Sequence, residues 1–156
     1  MASGKWLVDR KGQIEKWYAI VPATLAVVAV AVPGLMASVP QLGFALQRSF
    51  SLVCHQQADR SLVLFGGSVA VCARCLGIYL GAAVGLLIKV PRRLAQRFLL
   101  VAVSLNLVDW VAELVGVHGN WILLRFALGV TLGAAAAMLV IASNDEVKVP
   151  TRAKAA

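Results

Sequence analysis

Residues 71–90 read VCARCLGIYLGAAVGLLIKV. Between Cys75 and Lys89 no residue is charged, and Pro91-Arg92-Arg93 closes the run. About 20 apolar residues are enough to cross the hydrocarbon core of a bilayer. Blocks of the same kind lie at 19–39, 94–117 and 121–142. The chain of 156 residues is 60% hydrophobic and only 14% charged, with a mean hydropathy of +0.83. A water-soluble domain is nearer about a quarter charged. The expected fold is therefore all-α: a single integral membrane bundle of four transmembrane helices over 19–142. A polar arm, 1–18, precedes it, and a polar tail, 143–156, follows.

The segment between the first two blocks, 40–70, has a different pattern. From Pro40, residues Leu42, Ala45, Leu46, Phe50, Val53 and Cys54 recur near a helical spacing, with Gln41, Gln47, Arg48 and Ser51 elsewhere around the turn. This predicts a short amphipathic helix within Pro40–Arg60, lying in the interface and delivering Cys54 and His55 at its end. Gly66-Gly67-Ser68 signals a turn. Pro33-Gly34 should kink or end the first span.

The formal net charge is +8. The basic residues sit between apolar blocks with no nucleic-acid motif among them, so lipids rather than nucleic acid are the expected partners. With four spans, all 15 Lys and Arg except Arg48, Arg60, Arg74 and Arg125 fall on one side. The positive-inside rule then puts both termini in the cytoplasm of a bacterial or archaeal cell, as a multi-pass protein of its cytoplasmic membrane. Loop 40–70 faces outward, the oxidising side in bacteria. A homo-oligomer stays open.

All three cysteines fall within residues 54–75, beside His55. Cys54, His55, Cys72 and Cys75 make a complete tetrahedral set for Zn²⁺, and iron or copper also accept thiolates. A Cys-x-x-Cys pair can equally be a redox dithiol. At about 100° per residue, Cys72, Cys75 and Tyr79 share one face of their helix, and Gly77, Gly81 and Gly85 share another. The glycine face suits close approach by Gly129 and Gly133 of the last span.

In the third span Asn106, Asp109 and Glu113 share a face toward its outer end. Arg125 lies about one turn below the outer end of the fourth. Asp109 and Arg125 are the expected ion pair, lining a pocket beneath the metal as candidate base and anion clamp. Gln56, Arg60, Arg74, Tyr79, Asn106 and Glu113 surround them. The plainer readings are a structural Asp109–Arg125 pair, a solvated Glu113, Arg74 snorkelling toward a headgroup, and a surface His118.

Taken together, Cys54-His55-Gln56, Arg60-Ser61, Cys72-Ala73-Arg74-Cys75, Gly77, Tyr79 and Gly81 resemble the signature of a family of small prokaryotic membrane proteins of unknown function. Asp109, Asn120, Leu124-Arg125, Gly129 and Gly133 extend the resemblance over residues 48–135. The chain departs from the family's pattern at Trp110, Glu113 and Leu128, where Gly, Gln and Thr are usual. The resemblance implies that these residues act as one unit and implies no particular reaction. Three functions stay open. The first is a metalloprotein, structural or else hydrolytic or lipid-directed. The second is a quinone-linked thiol–disulfide oxidoreductase using Cys72 and Cys75. The third is a non-enzymatic ion or lipid carrier.

Overall fold

A computed structural model describes residues 3–117 and 119–146, with side chains from Tyr18 to Asn144 apart from that of residue 118. The expectation for His118 therefore lies outside the described residues. Five α-helices carry the fold: α1 (Ser3–Ser38), α2 (Pro40–Phe50), α3 (Ala73–Gly85), α4 (Arg92–Leu114) and α5 (Ile122–Glu146). Between α2 and α3 lie a 3₁₀ turn (Ala58–Arg60) and a small antiparallel hairpin of β1 (Val63–Leu64) and β2 (Gly67–Ser68). Neighbouring helices follow one another across the bundle in the order α2, α1, α3, α5, α4.

Among the described residues, three helical stretches are long and apolar enough to cross a membrane: Tyr18–Ser38, Arg92–Leu114 and Ile122–Asn144. Helix α3 is shorter than the expected span 71–90. It has 13 residues, about 20 Å at ~1.5 Å per residue. It starts after Cys72 and ends at Gly85, where Leu87 and Ile88 turn back onto the carbonyls of Val84 and Gly85. Its glycines lower helix propensity, and Pro91 disfavours a helical backbone at Val90 just before it.

The same glycines explain why α3 is central. A Cβ on Gly77, Gly81 or Gly85 would run into the carbonyl oxygens of Phe126, Val130 and Ala134 of α5. From the other side, Gly129 and Gly133 meet the carbonyls of Arg74 and Ile78. The expected seam is thus formed from both helices. In lipid, where apolar surface gives no net drive for helices to associate, such close packing is a main source of attraction.

Helix α1 does not end at Pro33-Gly34; both Pro22 and Pro33 lie inside it, and it runs to Ser38. Pro33 has no N–H to give the carbonyl four residues earlier. That carbonyl, of Ala29, instead accepts a hydrogen bond at 3.2 Å from the N–H of Ala70. The main core forms around this link: Ala26, Ala29 and Val32 of α1 pack with Phe50, Cys54, Val69, Ala70, Val71 and Leu76. The amphipathic helix is also shorter than expected. It stops at Phe50, and a turn through Val53 leads into Cys54. Gly43 sits tightly against the Met36 backbone, which sets the corner between α1 and α2. Leu42, Phe44, Leu52 and Val53 remain exposed, an apolar fringe suited to a bilayer interface.

Candidate functional site

The site is built where α3 begins. Cys54 arrives from the turn after α2, its N–H bonded to the Phe50 carbonyl at 3.0 Å. Its sulfur accepts the Cys72 N–H at 3.2 Å. Cys72 immediately precedes α3, and Cys75 lies in the first turn. The three sulfurs lie within 4.8 Å of one another, and all three cysteines are free thiols. Cys72, ahead of the helix, is held down to about 5, chiefly by the Cys75 thiol beside it, against the opposing effect of burial.

Gln56 holds this corner together. Its backbone is left-handed, with φ 50, which turns its side chain back under the loop. Its Nε2 donates to the carbonyls of Gln47 at 2.6 Å and Ala70 at 2.9 Å. Together with the Ala70 N–H on Ala29, this fixes the segment that leads into Cys72 from both sides. Gln56→Ala removes both bonds, at about 0.5–1.5 kcal/mol each. The expected result is a lower thermal midpoint in detergent and faster maleimide labelling of the buried Cys54.

The structure does not bring His55 into the sulfur cluster. It is exposed and stands on the wall of the cavity that the sulfurs face. That cavity holds ≈ 320 Å³ and is also lined by Arg60, Arg74 and Arg125.

Behind it the ion pairs differ from the expected Asp109–Arg125 match. Arg74 of α3 pairs with Asp109, and Arg125 of α5 pairs with Glu113. Arg60 adds a second contact to Glu113 at 2.9 Å. Arg74 thus does not snorkel outward, and Glu113 is not simply solvated. The glycine seam explains the exchange: Gly129 lets the Arg74 backbone lie against α5, so its side chain reaches past α5 to α4. Asp109 and Arg125 have side chains only 3% and 4% exposed. Ion pairs removed this far from water need close partners.

Asn106 donates from Nδ2 to the carbonyls of Ala102 at 2.9 Å and Leu128 at 3.1 Å. Asn106, Asp109 and Glu113 therefore hook α4 onto its neighbours, while most of its apolar side chains stay exposed. Tyr79 packs against the core beside Cys75 rather than lining the cavity.

Two contacts were not anticipated from the sequence. Ser61, almost fully buried, donates from Oγ to the Gln57 carbonyl at 2.9 Å and closes the 3₁₀ turn that aims Arg60. Asn120 donates to the Asp59 carbonyl and ties that turn to the α4–α5 connection. An Asn just ahead of a helix reads locally as a cap, so its longer reach had no separate signal.

Residues 54–139 match the model of a family described as predicted membrane protein (DUF2085). The chain belongs to this family. The matched stretch opens at Cys54 and takes in every cysteine and every ion-pair residue of the cavity. An uncharacterized protein of Methanocaldococcus jannaschii is 35% identical over 102 residues, 59% of this chain and 64% of the relative. An uncharacterized protein of Methanothermobacter thermautotrophicus is 32% identical over 95 residues, 58% of this chain and 86% of the relative. The chain thus spans less than two thirds of the first of these relatives. No solved structure matches it.

Proposed function

We propose that this DUF2085 protein is an integral membrane metalloprotein whose Cys54, Cys72 and Cys75 hold a thiophilic ion, Zn²⁺ in the first instance and iron or copper otherwise. The observation that carries the reading is the meeting of three sulfurs, from two separate segments, within 4.8 Å of one another at the wall of a cavity. Closed structural zinc sites use four protein ligands, whereas sites that act on something keep one position open. Here three sulfurs converge and His55 stands apart on the cavity wall, which fits the open kind. His55 would close the set by turning its ring inward.

An ion bound there supplies a Lewis acid for a hydrolytic or lipid-directed reaction. The chain's own residues supply the surroundings. Arg125 and Arg60 present positive charge to the cavity. Asp109 orients Arg74 rather than meeting the cavity itself. We take the topology to be four crossings, the short α3 completed by the residues after it, with both termini cytoplasmic and the sulfurs toward the outer face.

The test is elemental analysis of the detergent-purified chain with thiol counting on the same sample. About one metal per chain is expected, falling to near zero in Cys54→Ser, Cys72→Ser and Cys75→Ser. Metal-free protein that folds and melts normally would overturn the reading. The lowered Cys72 thiol favours a second one, thiol–disulfide exchange in which Cys72 attacks the disulfide of a substrate protein and Cys54 or Cys75 then resolves the mixed disulfide, leaving the substrate as two thiols and this chain with one disulfide. It predicts no metal, with one disulfide and one free thiol per chain after mild oxidation.

A further inference from the structure

The cavity beside the sulfurs is walled on one side by arginines. Arg60, Arg74 and Arg125 all line it. The carboxylates paired with them, Asp109 and Glu113, stand behind it and do not line it. Asp59 lies 3.8 Å from Arg60 and is 69% exposed, so water screens it. Three guanidinium groups share two close carboxylates, Arg60 and Arg125 both resting on Glu113.

Hydrogen bonding points the same way. A guanidinium has five N–H donors in a planar fork. The Nε of Arg125, whose side chain is 4% exposed, is buried with no hydrogen-bond partner among the described residues. The Nε atoms of Arg60 and Arg74 are buried in the same condition. A buried donor with no acceptor costs about 1–3 kcal/mol, and here three such donors belong to the three arginines that line one cavity. The N-terminus of α3 opens at the same place, and helix N-termini favour negative charge.

The geometry points to a phosphate-class oxyanion as the ligand of this cavity. The anion sits between the arginines, with Arg125 as the deepest contact and Arg60 and Arg74 on either side. Arginine matches tetrahedral phosphate oxygens with paired donors, as a single ammonium does not. One anion oxygen then faces the sulfur cluster. That last contact rests on the proposed metal site, since an anion would otherwise meet thiolate rather than an open coordination position. The contacts to arginine do not depend on it. The phosphate group could belong to free phosphate or to a lipid headgroup.

The test uses the full chain in detergent, prepared both metal-replete and chelator-treated. Inorganic phosphate is titrated by calorimetry against a chloride control, and phosphatidic acid in mixed micelles against phosphatidylcholine. Saturable binding is expected, weakened about tenfold or more in Arg125→Gln, the loss of roughly one charge-assisted hydrogen bond. Arg60→Gln, whose side chain is 38% exposed, should weaken binding while lowering the melting midpoint less than Arg125→Gln does. Binding of both phosphate and phosphatidic acid supports a site open to the free anion; binding of phosphatidic acid alone supports a headgroup site. Binding to metal-free protein upholds the anion site even if the metal reading fails. Metal-replete, folded protein that binds neither ligand, or binds equally well in both variants, overturns the proposal and leaves the metal reading intact.

Discussion

Gly81→Val is expected to lower the stability of the bundle by about 3 kcal/mol or more, at or beyond the upper end of what overpacking usually does. The reason is what the new side chain meets. A Cβ on Gly81 overlaps the backbone of Val130, carbonyl oxygen included, rather than the end of a flexible side chain. Neither helix can relieve that by changing a rotamer, so α3 must move away from α5 and the seam opens along its length. Because the cysteines and Arg74 stand at the head of α3, the site should loosen as well. Gly119→Ala is the control, since among the described residues nothing lies within 4 Å of a Cβ at that position. Thermal unfolding in detergent, followed by helical circular dichroism, reads both variants. Equal midpoints for the two would show that the seam does not hold the helices together.

Glu113→Leu should cost about 3–5 kcal/mol, the range for leaving one half of a buried ion pair without its partner. Arg125 is the reason: its side chain is 4% exposed and its ion pair is made to Glu113. Arg60, the other residue on Glu113, is 38% exposed and can turn to water. The double variant Glu113→Leu/Arg125→Leu removes both charges and should recover much of the loss. A double-mutant cycle on the melting curves measures the coupling. A single variant as stable as the parent, or a double variant much worse than the single, would contradict the pairing.

Much of the framework was legible in the chain. Glycines four residues apart on two apolar segments mark a close helix contact whatever the exact tilt, because only the absence of side chains permits it. The cysteines were legible as a unit because they fall in one short window. The polar residues of α4 were legible as a shared face for the same periodic reason. What could not be read was which arginine meets which carboxylate. Arg60, Arg74 and Arg125 compete for Asp109 and Glu113, and the outcome turns on how far each side chain projects across α5. Spacing along one helix carries no such information. The two-residue strands were too short to show alternation, and only the turn at Gly66-Gly67 hinted at them. The place of His55 was hidden for a related reason. Adjacency to Cys54 suggested a shared ligand set, yet neighbours in an irregular segment point in different directions, and only the cysteine turns into the core.

The bond from Ala70 to Ala29 has a consequence for how the protein is made. Helix α1 leaves the ribosome before the segment that holds Ala70. It carries into the bilayer a carbonyl that its own proline has deprived of a donor. In hydrocarbon such an acceptor is costly until something satisfies it. Its partner emerges about forty residues later, just ahead of Cys72. The segment that meets this carbonyl is the one that sets the Cys72 N–H on the sulfur of Cys54. Assembly of the thiol cluster is therefore tied to docking of this segment against α1. A chain stalled in biogenesis displays neither a finished cluster nor a satisfied first helix, and both defects are corrected in the same step.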